Sequence, residues 1–145
     1  MITGIRRSGK STLLKLLKEE LLKKSIKADQ ILYINFESFY FSNIQKSEQL
    51  YKYVKDNIIT GKRTYLLLDE IQNIEQWEKA INSFKVDFDA DIYITGSNSN
   101  LLSSELSTHL AGRFVDIPVF TLSYKEFLTF RSVYLFNEVL DDKNG

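Results

Sequence analysis

The sequence predicts an α/β domain: a five-stranded, mainly parallel sheet with helices on both faces, forming a three-layer sandwich. Three observations lead there. Short β-favouring runs alternate with longer stretches of helical periodicity along the 145 residues, the pattern that joins parallel strands through crossover helices. The run Tyr65-Leu66-Leu67-Leu68 is apolar without alternation, as a strand covered on both faces must be. And Gly4-Ile5-Arg6-Arg7-Ser8-Gly9-Lys10-Ser11-Thr12 fits G-x-x-x-x-G-K-[ST], a loop that links a strand to a helix.

That loop carries the first chemical expectation. Glycine bends the chain sharply and, lacking a side chain, lets backbone N–H groups approach anionic oxygens. The helix opening at Lys10 points its unpaired N–H groups and positive dipole end at the same place. The motif therefore assigns Gly4, Ile5, Arg6, Arg7, Ser8, Gly9, Lys10, Ser11 and Thr12 to the phosphates of a nucleotide. Lys10 would reach the β/γ-phosphates and the Ser11 hydroxyl would ligate Mg²⁺. The competing reading is a Gly-rich turn before a Lys-rich helix, and a strand before the loop with a helix after it decides between them.

Composition narrows the field. Nineteen Lys and Arg balance nineteen Asp and Glu, so no net basic field recruits nucleic acid or an anionic membrane. No apolar run approaches the roughly 20 residues of a membrane span, and the first residues do not read as a signal peptide. With no cysteine, disulfides, thiolate metal sites and cysteine nucleophiles are excluded, and a single histidine, His109, argues against a histidine-built metal site. His109 reads as an ordinary surface histidine, and a cytoplasmic location is the default expectation.

Taken in order, Met1-Ile2-Thr3 is short for a strand, and its shortness reads as a segment boundary just upstream. From Lys10 to about Ser25 the spacing of Leu13, Leu14, Leu17, Leu21 and Leu22, with Leu16 at the margin, predicts an amphipathic helix. Glu19/Lys23 and Glu20/Lys24 would pair at i,i+4 along it. Its lysines read as a solvated face rather than a nucleic-acid patch. Ile31–Phe36 is a second strand, with Glu37 at its C-terminal end, either a surface carboxylate or one facing the nucleotide. Ser42-x-x-Gln45 resembles a capping box before a helix whose core face is Leu50, Tyr51, Val54 and Ile58. Gly61-Lys62-Arg63 turns the chain.

The third strand, from Thr64, ends in Asp69-Glu70, carboxylates where open α/β sheets place their ligands. Asp69 would hold Mg²⁺ opposite Ser11, and Glu70 would orient and deprotonate an attacking water. A solvated acidic pair at a strand end is the alternative. The next helix presents Trp77, Ala80, Ile81 and Phe84 inward, and Trp77 reads as core. Asp91–Thr95 is the fourth strand, entering the polar cluster Gly96–Asn100. There Ser97 or Asn98, with Thr95 a further candidate, would hydrogen-bond the γ-phosphate or the attacking water; the alternative is a turn and helix cap. Arg113 would act on the γ-phosphate as an arginine finger or form a structural ion pair. Phe114–Phe120 is a fifth strand whose Pro118 marks an edge. Ser123 and Glu126 form a capping box, stapled by Leu122 and Phe127, for a final aromatic-rich helix.

The phosphate loop after strand one, Asp-Glu after strand three and the polar cluster after strand four together resemble the P-loop ATPases with an additional strand and a catalytic glutamate. Within these, the chain resembles the predicted AAA-type ATPases of bacteria and archaea. Arg6-Arg7 in the loop, Thr95-Gly96-Ser97, Leu110-Ala111-Gly112-Arg113 and Leu122-Ser123-Tyr124-Lys125-Glu126-Phe127 are the segments that look like that family. The resemblance implies the P-loop NTPase fold with strand order 5-1-4-3-2, and a P-loop ATPase domain over residues 1–130. Residues 131–145 would begin the connection to a C-terminal domain.

It also implies an ATP-binding, Mg²⁺-dependent ATPase that couples hydrolysis to conformational change, catalysed by Glu70, Lys10 and Arg113, with a protein partner and no membrane. An ATP-gated interaction switch or nucleic-acid-associated regulator, with negligible turnover, is the alternative. A small-molecule kinase is disfavoured because no segment reads as a lid or acceptor pocket. GTP is disfavoured because no N-K-x-D-like guanine reader is present.

Overall fold

Three consecutive leucines set the layering. Leu66, Leu67 and Leu68 are all completely buried, but they do not share a neighbourhood. Leu66 and Leu68 pack with Leu50, Val54, Trp77, Ile81 and Phe84 on one face of the sheet. Leu67, pointing the opposite way, packs with Ile2, Leu14 and Leu21 on the other. A strand apolar at every position therefore takes a helical layer on each side, as its lack of alternation required.

The computed structural model describes residues 1–97 and 114–141, with side chains as far as residue 132. In chain order the elements are β1 (Ile2–Thr3), α1 (Lys10–Lys23), β2 (Ile31–Asn35), α2 (Ser47–Asn57), β3 (Thr64–Asp69), α3 (Trp77–Asp87), β4 (Ala90–Gly96), β5 (Ile117–Pro118) and α4 (Tyr124–Asp141). The sheet runs β2-β3-β4-β1-β5, the expected order read from its other edge, and every pairing is parallel. Helix α1 lies on one face, α2 and α3 on the other.

Strand β1 has two residues and still sits between two neighbours. Ile2 lies opposite Thr95 and Ile117, and Thr3 opposite Gly96 and Pro118. The fifth strand shrinks from the expected Phe114–Phe120 to Ile117–Pro118, and it does form the edge. Ile117 and Val119 donate their N–H groups to the carbonyls of Met1 and Thr3, at 2.8 and 2.7 Å. The residue between them points its N side away from β1, so the missing N–H of Pro118 removes no ladder bond.

Two local expectations fail for physical reasons. On α1 only Leu14 and Leu21 of the expected stripe are buried, with Leu17 partly so; Leu13, Leu16 and Leu22 are exposed. One sheet face covers a narrower arc of the helix than five leucines span. The ion pair that forms on α1 is Glu20–Lys23, at 2.7 Å and fully exposed, and such a pair adds little stability.

At α2 the capping box is not Ser42-x-x-Gln45. Lys46 is held in an extended conformation beside Glu75, with Ser47 N–H donating to the Glu75 carbonyl and Glu75 N–H to the Gln45 carbonyl. This bridge delays the helix to Ser47. Gln49 then closes the turn, its Oε1 accepting from the N–H groups of Lys46 and Gln45 at 3.1 and 2.8 Å. Ile58 falls just past the end of α2 but still packs on the core.

Helix α3 buries Trp77, Ala80, Ile81 and Phe84, as its spacing predicted. Phe84 stacks on Tyr51 and Phe88, with ring centroids 6.0 and 5.8 Å apart, and among the described residues it is the largest completely buried side chain. Phe84→Ala is expected to lower unfolding free energy by about 3–5 kcal/mol, a transfer loss plus a cavity. Urea denaturation measures it, and a loss under about 1 kcal/mol would place Phe84 outside the packed core.

Candidate functional site

The loop between β1 and α1 folds around two glycines with positive φ, Gly4 at 152° and Gly9 at 95°, and Arg7 between them is also left-handed at 65°. Gly4 has no room for anything larger: a Cβ there would come within 2.2 Å of the Val119 carbonyl oxygen. Gly9 is the residue preceding α1, and as a glycine it offers no side-chain cap. The first turn contains no acidic residue either. A helix start with neither cap nor carboxylate leaves its N–H groups and dipole available to an anion. Lys10 is buried, and its ammonium donates to the Ile5 carbonyl at 2.8 Å, folding back over the loop.

Opposite this loop, β3 delivers Asp69 and Glu70. Asp69 is completely buried, and its carboxylate accepts from three hydroxyls. Ser11 and Thr95 bind Oδ1, at 3.0 and 2.5 Å, and Tyr33 binds Oδ2 at 3.0 Å. Burial, then the charge and hydrogen bond of Asp69, push the Tyr33 phenol well above its ordinary range, so it remains a donor. Glu70 has a left-handed backbone, φ 57°, which for a non-glycine residue costs on the order of 1–3 kcal/mol. Its N–H is held by Thr95 Oγ1 at 2.9 Å, and its Oε2 accepts from Gln72 and Ser97. Arg7, Gly9, Lys10, Ser11, Thr12 and Glu70 together line a cavity of about 220 Å³.

The structure thus brings together Lys10, Ser11, Asp69, Glu70 and Ser97. Thr95 departs from expectation: it is completely buried, and its hydroxyl joins Asp69 to Glu70 instead of facing a ligand. Arg6 and Ile5 are exposed on the loop, and Arg6 lies 3.7 Å from Glu37, which is a surface carboxylate. The buried Ser8 hydroxyl has no hydrogen-bond partner. Asn98, His109 and Arg113 lie outside the described residues.

Two members of the site were missed in the sequence. Tyr33 reads there as one more β-favouring residue in Ile31–Phe36, and only the parallel pairing of β2 with β3 brings its phenol to Asp69. Gln72 sits two residues past Glu70, in the 3-10 turn Ile71–Asn73 that the left-handed Glu70 initiates. Its Nε2 bridges Glu70 and Ser97.

This arrangement faces an uncapped helix end and a buried lysine towards two carboxylates, one fixed by hydroxyls and one reachable from the cavity. Ser11 and Asp69 provide adjacent hard oxygen donors, suited to a hard cation that takes its remaining ligands from water and phosphate. Among the described residues no group of three or more His, Asp or Glu forms an all-protein cage. The family described as "AAA domain" matches residues 1–128.

The chain belongs to the AAA domain family. Membership makes it an AAA-type ATP-binding module. The AAA domain is similar to an uncharacterised protein of Haemophilus influenzae, 43% identical over 92% of this chain and 34% of that protein. It also resembles two uncharacterised proteins of Methanocaldococcus jannaschii: 36% identical over 91% of this chain and 28% of the relative, and 27% over 99% and 31%. The chain spans about a third of the length of these curated relatives. No solved structure matches it. Among the described residues no helix is long and apolar enough to cross a membrane.

Tyr33 yields a pH test. Its folded pKa lies above the ordinary value of 10.0, so the folded AAA domain retains a proton that the unfolded chain releases. Stability from this group is complete below about pH 10 and declines as pH rises beyond it. Tyr33→Phe is expected to flatten the alkaline limb of a denaturation series, by up to one bound proton relative to the parent. Identical limbs would mean that Tyr33 titrates as in the unfolded chain.

Proposed function

We propose that this AAA domain hydrolyses ATP with Mg²⁺ and converts the event into a conformational change. The observation that carries the reading is the juxtaposition of Lys10 and Ser11, on an uncapped helix N-terminus, with Asp69 and Glu70 across a small polar cavity. On this reading Lys10 exchanges the Ile5 carbonyl for β/γ-phosphate oxygens, and the loop N–H groups hold the rest of the anion. Ser11 and Asp69 would hold Mg²⁺, and the chemistry it supplies there is neutralisation of phosphate charge.

Glu70 has one oxygen committed to Ser97 and Gln72, which leaves Oε1 to take the proton of the attacking water. Because Ser97 also touches Glu70, changes at the γ-phosphate would be felt at the base. Asn98 and Arg113 are retained as proposed contacts to the γ-phosphate. Residues 1–130 are proposed as the ATPase unit, and 131–145 as the start of a connection to a further domain.

A second reading is an ATP-gated interaction switch with negligible turnover. It is favoured by the aromatic surface near α4, where Phe120, Tyr124 and Phe130 are 81%, 78% and 66% exposed. Phosphate release decides between the two, since the switch binds ATP and releases none.

Two variants test the site. Lys10→Ala is expected to weaken Mg-ATP binding by about tenfold or more, measured by calorimetry. Glu70→Gln is expected to retain binding while phosphate release falls on the order of a hundredfold. Parent-like binding and hydrolysis by Lys10→Ala would remove the assignment.

A further inference from the structure

Gln72 meets Glu70 across a spacing that a helix would forbid. Side chains two residues apart on a helix do not face each other. Here Glu70 stands just outside the 3-10 turn Ile71–Asn73, and with its left-handed backbone, φ 57°, its carboxylate meets the Gln72 amide. The turn is anchored from below and closed above. Ile71 and Ile74 are buried in the core, and Asn73 N–H donates to the Glu70 carbonyl at 3.2 Å.

Three polar atoms form a closed ring at this point. Gln72 Nε2 donates one hydrogen to Glu70 Oε2 and the other to Ser97 Oγ, at 3.2 Å. The Ser97 hydroxyl donates to the same Oε2 at 3.0 Å. Every hydrogen on these atoms is used. The amide has one workable orientation, because turned over it would set Oε1 against a carboxylate oxygen. That orientation is kept although it leaves Oε1 buried, with no hydrogen-bond partner among the described residues. The contact is specified at the nitrogen end.

The ring constrains the carboxylate as a whole. Its two donors come from separate elements, the turn after β3 and the residue following β4, so Oε2 is held from two directions. Oε1 is then the oxygen left for the cavity that Glu70 lines with Lys10 and Ser11. Gln72 itself does not line that cavity. Any part it takes in chemistry there must pass through Glu70.

We propose that Gln72 is a positioning residue for ATP hydrolysis, fixing the Glu70 carboxylate so that Oε1 faces the attacking water. This rests on the ATPase reading above and adds a residue that touches neither water nor phosphate. It also sets the chemistry of position 72: a neutral side chain of this length, with a donor at its end.

The test reads turnover and affinity separately, in the full chain. Gln72→Met keeps the length of the side chain and removes both donors. It is expected to lower phosphate release about ten- to a hundredfold, through a misplaced base, while Mg-ATP affinity by calorimetry stays within about twofold of the parent. Gln72→Glu keeps the shape and turns the donor into a like-charged acceptor, and it is expected to lose at least as much turnover. Introduced into Glu70→Gln, Gln72→Met is expected to cost less than about twofold more, since a residue acting through another loses its effect once the other is replaced. A packing role predicts the reverse, with Gln72→Met close to the parent. Parent-like turnover by Gln72→Met overturns the proposal, and so does an equal loss in both backgrounds. Affinity falling in step with turnover, or a lowered thermal melt in both variants, also overturns it, because Gln72 then supports the fold or the loop. If the parent releases no phosphate, or Lys10→Ala binds Mg-ATP as the parent does, the ATPase reading fails and takes this inference with it.

Discussion

The buried carboxylate of Asp69 is the constraint around which the rest is arranged. A fully buried anion costs several kcal/mol unless its lone pairs are satisfied. Here the partners come from three separate elements: Ser11 at the start of α1, Tyr33 on β2 and Thr95 on β4. Hydrogen bonds to a charged acceptor are about twice as strong as neutral ones, and their geometry is exacting. Satisfying Asp69 therefore fixes the register of three strands and the position of the helix that carries the phosphate loop. A stabilising requirement and a functional one coincide at a single side chain.

Thr95 extends that constraint to Glu70. The same hydroxyl donates to Asp69 and accepts from the Glu70 N–H, so the backbone conformation of Glu70 is braced by the group that satisfies its neighbour. A left-handed residue at the end of a buried strand persists only where its surroundings hold it there. Its effect is to turn the chain so that Asp69 stays within the protein while Glu70 reaches the cavity. Two adjacent carboxylates thereby acquire different environments, which is the usual way for them to acquire different roles.

Much of this was legible in the sequence because it depends on short-range patterns. The glycines and Lys10 of the loop, the unalternating Leu66-Leu67-Leu68, the inward face of Trp77 to Phe84, Pro118 at an edge and the Ser123–Glu126 cap are all local signals, and each is found in the structure. What escaped depends on tertiary neighbours. Tyr33 becomes a partner of Asp69 only through strand pairing, and the start of α2 is set by Glu75, far along the chain. Leu13 and Leu16 matched the helical period but the sheet did not reach them, since periodicity specifies a face and not its width.

The two-residue strand β1, one in from the β5 edge of the sheet, has a consequence for how the domain opens. β2, β3 and β4 pair over five registers at each interface, whereas β1 meets each of its neighbours over two. The sheet is in effect a long-paired half, β2-β3-β4, joined to a short-paired edge, β1-β5. Proteins open locally in contiguous cooperative units, and an edge held by fewer ladder pairs is the place where such opening is expected to begin. A ligand held by the phosphate loop, which leaves β1 and enters α1, would lie beside that edge. Its binding energy would then appear as slowed amide exchange in β1 and β5, with little change in β2 or β3.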